Sequence, residues 1–196
     1  MISVYLDQDY APFDVKWPDI HSVIDVGATT GCFTLWALKR APDARVVAVE
    51  PNQNVFPFLL KNVEANGLVA RVRTVPTALG AITGHAAVID RTYSTLATVM
   101  PQSSATPSSV PMMTLRQLMA EFDIANCDLL KMDCEGAEYD ILLTTGDDVL
   151  HRIGAIVCEF HPIPGRSVNE LSEKLTAAGF RVSIFGAGLG FIVAKR

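Results

Sequence analysis

The stretch Val23-Ile24-Asp25-Val26-Gly27-Ala28-Thr29-Thr30-Gly31 runs directly into Cys32-Phe33-Thr34-Leu35-Trp36-Ala37. Its β-branched residues enter a glycine-bounded turn, and the turn opens onto a segment with an apolar helical stripe. A strand, a tight loop and a helix N-terminus in that order present backbone N–H groups and a positive dipole end to an anionic ligand. Asp25 is the odd residue, because a buried parallel strand normally reads as a continuous hydrophobic run. A charge there costs free energy unless a cation or hydrogen-bond donors meet it.

The glycine spacing separates ligand classes. A dinucleotide fingerprint needs G-x-G-x-x-G, whereas the pattern here is D-x-G-A-x-x-G, with threonine at position 29. A second strand, 45–50, ends on Glu50, and an acid in that place can hydrogen-bond the hydroxyls of a ribose. The missing glycine disfavours a close-packed pyrophosphate. A nucleoside carrying a cationic tail suits Asp25 better. The plain alternative is an ordinary strand-turn-helix. The pair of motifs resembles motif I and the following acid of class I S-adenosylmethionine-dependent methyltransferases.

Composition sets the outer bounds. A chain of 196 residues, 49% hydrophobic and 19% charged, is expected to be one compact domain around a buried sheet. Its net charge of −5, with no run of lysine or arginine, argues against a nucleic-acid partner. No apolar run is long enough to span a membrane, and the first residues lack the basic start and apolar core of a signal peptide. Cys32, Cys127, Cys134 and Cys158 are scattered without a C-x-x-C pair, as expected for reduced packing residues of a cytoplasmic protein.

Along the chain, residues 1–22 form a short leader or cap, and residues 23–196 a single domain of alternating strands and helices. That alternation predicts a parallel sheet covered on both faces. Helices are expected over 33–40, 55–66, 114–122, 136–145 and 168–178, with a capping box at Thr114–Gln117 and a terminating glycine at 179. Strands are expected over 71–76, 127–133 and 153–160, with short β segments at 85–90 and 93–100. Residues 91–111 form an insertion. Within it, the Ser/Pro/Thr-rich 101–109 is either a lid or a tolerated surface loop. The tail, 180–185 and 191–195 around a glycine-rich turn, predicts a terminal antiparallel hairpin.

Ligands of open α/β sheets bind outside the carboxyl ends of the strands. Those ends carry the 27–31 loop, Glu50-Pro51-Asn52, Thr77-Ala78, Asp133-Cys134-Glu135 and Glu159-Phe160-His161. Together with the block Leu130-Lys131-Met132-Asp133-Cys134-Glu135-Gly136-Ala137-Glu138, these segments resemble the FkbM-type methyltransferase family over about 23–162. The resemblance implies a Rossmann-like class I methyltransferase fold: α/β, a mostly parallel seven-stranded sheet with a C-terminal antiparallel hairpin, and helices on both faces. It implies transfer of a methyl group from S-adenosyl-L-methionine, usually to the oxygen of a sugar, polyketide or other small metabolite. Arg116-Gln117 departs from the aspartate many relatives carry there, and the leader is short, so the acceptor stays open.

On that resemblance the cofactor would meet Asp25, Gly27, Ala28, Thr30, Gly31, Glu50, Pro51, Asn52, Ala78, Leu79 and Asp133. Asp25 would face the methionine ammonium group directly or through water, or else cap its own loop. Glu50 would bind the ribose, and Ala78 and Leu79 the adenine. Lys131, inside a strand, is expected to pair with an acid. The catalytic candidates are His161 as a base with a pKa suited to neutral pH, Asp133 orienting it or the acceptor, and Glu135. Glu135 and Glu138 also fit the simpler role of carboxylates favoured by a helix dipole. The preferred reading has no metal, but Asp133, Glu135 and His161 form an alternative divalent set.

The expected activity is therefore O-methylation of a small hydroxylated molecule, with neither nucleic acid nor membrane as partner and a homodimer allowed. The alternatives are a catalytically silent adenosylmethionine-binding partner subunit and, less favoured, a nucleotide-dependent oxidoreductase.

Overall fold

The structure is a computed structural model that describes residues 17–90, 97–106, 108–186 and 188–196. In chain order its elements are β1 (Ser22–Val26), α1 (Cys32–Arg40), β2 (Arg45–Val49), α2 (Phe56–Ala65), β3 (Val72–Val75), β4 (Ala78–Leu79), β5 (Gly84–Asp90), β6 (Ala97–Gln102) and β7 (Ser109–Met113). The second half contributes α3 (Leu115–Glu121), β8 (Cys127–Met132), α4 (Ala137–Thr144), α5 (Asp147–Leu150), β9 (Ile153–Phe160), α6 (Val168–Ala177), β10 (Arg181–Gly186) and β11 (Gly190–Lys195).

Seven strands form one sheet in the order β10-β11-β9-β8-β1-β2-β3. The pairs among β9, β8, β1, β2 and β3 are parallel, whereas β11 runs antiparallel to both β9 and β10. The strand alternation explains the two cores. Ile24, Leu130 and Ile156 point to one face with α3, α4 and α6, while Val23, Leu129 and Val157 point to the other with α1 and α2. Burial on both faces is why these strands read as apolar runs.

The helix ends follow the sequence signals. At α3, Thr114 Oγ1 accepts from Gln117 N at 3.2 Å and Gln117 Oε1 accepts from Thr114 N at 3.0 Å, the expected capping box. Pro57 lies in the first turn of α2, where its missing N–H costs little.

Two features differ from expectation. The strands β6 and β7, which fall mainly in the expected insertion, join β4 and β5 in a second sheet, β4-β7-β5-β6, over a small core of Ala78, Ala86, Val110 and Met112. Because β6 reaches Gln102 and β7 starts at Ser109, the loop expected over 101–109 loses both its ends to strands. Pro101 and Pro111 hid the end of β6 and the whole of β7 in the sequence, since proline demotes a strand assignment. Residues 93–96 of the expected segment, and 1–16 of the expected leader, lie outside the described residues. The leader's last part is a 3-10 turn at Trp17–Asp19, with Trp17 edge-on to Trp36 at 4.9 Å. The short helix α5 was not foreseen. No helix among the described residues is long and apolar enough to cross a membrane.

Candidate functional site

A cleft opens over the carboxyl ends of β1, β2 and β8. The loop after β1 is held from beneath. Asp25 and Lys131 are register partners on adjacent strands, so their side chains share the α1 face. Lys131 Nζ lies 3.1 Å from Asp25 Oδ1, and Thr34 Oγ1 donates to Asp25 Oδ2 at 2.6 Å. Asp25 is 0% and Lys131 3% exposed, so the pair answers the cost of an acid in a buried strand. Lys131 Nζ also donates to Gly27 O at 2.9 Å and thereby ties the loop to the pair. Gly27 itself has φ 72°, and a Cβ there would fall 1.8 Å from the Asp133 carbonyl oxygen. Only glycine lets the ends of β1 and β8 approach so closely.

Glu50, 4% exposed at the end of β2, accepts Thr29 N on Oε2 at 2.8 Å and Asn52 N on Oε1 at 2.7 Å. Burial raises its pKa, and these two N–H groups, with Lys131, work against that rise. A carboxylate oxygen accepts more than one hydrogen bond, so Glu50 can still take hydroxyl donors from the cleft.

Of the expected site residues, Gly27, Glu50, Pro51, Leu79, Asp133 and Glu135 line the cleft. Asp25 does not. Its carboxylate is held beneath the loop by Lys131 and Thr34. Ala28 and Ala78 are buried packing residues. Gly31 is the N-cap of α1, Thr30 offers its carbonyl to Asn62 Nδ2 at 2.8 Å, and Asn52 Oδ1 accepts Asn54 N at 2.9 Å. Thr29, rather than its neighbour Thr30, faces the cleft. Val99 of the insertion also lines it, and no sequence signal tied that strand to the site.

Beside the cleft stands His161. Its Nδ1 lies 2.9 Å from Glu138 Oε1, which also accepts His161 N at 2.7 Å, while Glu138 Oε2 accepts Gly136 N at 2.8 Å. The Nε2 atom is 3.6 Å from Glu135 Oε1 and 4.0 Å from Asp133 Oδ1. Glu138 therefore holds the ring, while Asp133, expected to orient either the ring or the acceptor, lies farther from it. The sequence did hold a signal. Position 138 falls on the buried face of α4 with Ile141 and Leu142, so an acid there needs a partner.

Burial alone lowers the His161 pKa, but the hydrogen bond and charge of Glu138, with Glu135 and Asp133, outweigh it and push the value up to about 9. Glu159 is pushed up to about 7, first by burial and then by Asp133. Asp133, Glu159 and His161 each place one donor atom within 4.8 Å of the others. Glu159 thus takes the place of Glu135 in the alternative divalent set. The cysteines are free thiols, and burial raises those of Cys134 and Cys158 well above their usual range.

The seven-stranded sheet with its reversed hairpin, and the cleft over its central strand ends, define a class I methyltransferase fold. The FkbM methyltransferase domain matches residues 25–182, and the chain belongs to that family. It is similar to the 31-O-demethyl-FK506 methyltransferase FkbM of Streptomyces tacrolimicus, 28% identical over 91% of this chain and 80% of that protein. It is 26% identical to the AMB antimetabolite synthetase AmbE of Pseudomonas aeruginosa over 92% of this chain. That match spans only 10% of the synthetase. Among solved structures, the methyltransferase FkbM of Methylobacillus flagellatus superposes with a TM-score of 0.62 at 15% identity. The alignment covers 90% of this chain and 44% of that one.

Proposed function

We propose that the chain transfers a methyl group from S-adenosyl-L-methionine to a hydroxyl oxygen of a small metabolite. The observation that carries this reading is Glu50, a buried carboxylate at the end of β2 that faces the cleft beside the Gly27 loop. A ribose diol fits its remaining lone pairs. Leu79, Pro51 and Val49 line the cleft as apolar walls that would suit a base, and Asp133 and Glu135 line it as acids that would suit the cationic end of the molecule. The family supports the same cofactor, and the absence of a second loop glycine at position 29 argues against a dinucleotide.

When bound, the cofactor supplies an electrophilic methyl on a cationic sulfur. The chain's own part is to hold the acceptor oxygen in line and to take its proton. His161 Nε2 is the proposed acceptor of that proton, with Nδ1 held by Glu138. General-base help of this kind contributes roughly 10²–10⁴-fold. At pKa 9 the ring is charged at neutral pH. A bound sulfonium and ammonium group would lower that value by like-charge repulsion, so cofactor binding favours the neutral imidazole. The surrounding acids raise the affinity for the same cation. Asp133 and Glu135 are assigned to positioning, and the preferred mechanism uses no metal.

The test is turnover. With methyl-labelled cofactor and a panel of hydroxylated small molecules, the protein should release S-adenosylhomocysteine and label the acceptor oxygen. His161→Ala should keep cofactor affinity and lose most turnover. Cofactor binding without transfer to any acceptor would favour the silent-subunit alternative. Normal turnover by His161→Ala together with loss on chelation would replace the base by a metal.

A further inference from the structure

Among the described residues, three that are not glycine have a positive φ: Thr29 at 48°, Asp123 at 53° and Glu135 at 55°. Thr29 and Glu135 both line the cleft, at the ends of the neighbouring strands β1 and β8, so backbone strain gathers at the site. Thr29 is the costlier of the two, because a β-branched side chain fits the left-handed region badly. It is also the second residue of a turn closed by Gly31 N, which donates to Ala28 O at 2.7 Å. A turn with positive φ at that place is ordinarily built on glycine.

Two hydrogen bonds flank the strained residue. Before it, Thr29 N donates to Glu50 Oε2 at 2.8 Å. After it, Asn62 Nδ2 donates to Thr30 O at 2.8 Å. Rotation about the Thr29 φ turns these two clamped peptide groups relative to each other, so fixing both fixes the angle. Asn62 comes from α2, 32 residues beyond Thr30. One turn earlier on the same helix face, Leu59 packs so closely that a Cβ on Gly31 would lie 2.7 Å from its Cδ1. Asn62 is not among the residues that line the cleft, so α2 braces the loop from outside. Lys131 holds the loop at Gly27 O, and Asn62 holds its other end at Thr30 O.

We propose that Asn62 is a positioning residue for cofactor binding: it keeps Thr29 left-handed, which keeps Thr29 N on Glu50 and sets that carboxylate for the ribose. The proposal rests on the cofactor reading given above. Without the Asn62 donor, Thr29 relaxes in the free protein, and binding must first restore the strained turn. That cost appears in the affinity, as for any site that loses its preorganisation.

The experiment is a double-mutant cycle read by calorimetric titration with S-adenosylhomocysteine. Asn62→Leu keeps the side-chain volume and removes the donor, and it is expected to weaken binding about tenfold. Glycine adopts positive φ freely, so in a Thr29→Gly background the same substitution should weaken binding by about threefold or less. Any loss of stability caused by Asn62→Leu is common to both backgrounds and cancels in the comparison. Parent-like affinity in Asn62→Leu overturns the proposal. An equal loss in both backgrounds also overturns it, because Asn62 would then act independently of Thr29. In either case S-adenosylhomocysteine still binds the parent, and the cofactor reading stands. Failure of S-adenosylhomocysteine to bind the parent overturns the cofactor reading and this proposal with it.

Discussion

Replacing Lys131 by methionine keeps most of the side-chain volume but removes the ammonium group 3.1 Å from Asp25 Oδ1. The carboxylate left behind is 0% exposed and keeps the Thr34 hydroxyl as a hydrogen-bond donor. Breaking a buried pair by removing one partner typically costs about 3–5 kcal/mol, because the remaining charge is uncompensated. For a chain of this length each kcal/mol lowers the melting temperature by roughly 2–4 °C, so a fall of about 6–20 °C is expected. Urea unfolding followed by circular dichroism measures the loss directly. Adding Asp25→Leu removes the stranded charge, so the double variant should be more stable than Lys131→Met alone, with a coupling of about 0.5–3 kcal/mol. The double variant should nevertheless bind S-adenosylhomocysteine more weakly than the parent, because Gly27 O has lost its ammonium donor. A loss below about 1 kcal/mol for Lys131→Met, or single effects that simply add, would refute the claim that this pair carries the loop.

The His161 pKa of about 9 lies above the unfolded value of 6.5, so the ring's protonated form stabilises the fold. That contribution is complete below pH 6.5 and is lost as pH rises through about 9, which urea midpoints across this range will show. Turnover should behave in the opposite sense and rise with pH as the base is freed. Glu138→Gln removes the carboxylate that holds Nδ1, so the His161 resonance in NMR titration should move to a lower pKa. An unmoved titration would show that Glu138 does not set it. Residues 103–108 should exchange amide hydrogens fast in the free protein and become protected when cofactor and acceptor are both present. Protection equal to that of β8 in the free protein would mark a fixed loop.

The parallel sheet was legible because burial on both faces leaves an unmistakable print. Strands such as Val23–Val26 and Leu129–Met132 are apolar except where Asp25 and Lys131 answer each other. The lysine's need for an acid could be read from the sequence, but its identity as Asp25's partner depends on register. The small sheet was half legible. Its strands are short, carry prolines and bury only alternate residues such as Val110 and Met112, so their pairing is decided by tertiary contact. In the site, Glu50 and the Gly27 loop follow from local spacing. Thr29 against Thr30 turns on a single φ of 48°, which no composition reveals. Glu138 and His161 lie 23 residues apart and meet only because α4 and the end of β9 pack together. The raised pKa of His161 follows from that meeting, which the sequence alone does not show.

Binding of S-adenosylmethionine in the cleft through Glu50 is tested most directly by calorimetric titration. S-adenosylmethionine and S-adenosylhomocysteine should both bind the parent protein, NAD should not, and Glu50→Ala should weaken both by roughly 1–3 kcal/mol, the worth of charge-assisted hydrogen bonds to a ribose. Equal affinity for the parent and Glu50→Ala, or binding of NAD in place of the two sulfur cofactors, would contradict it.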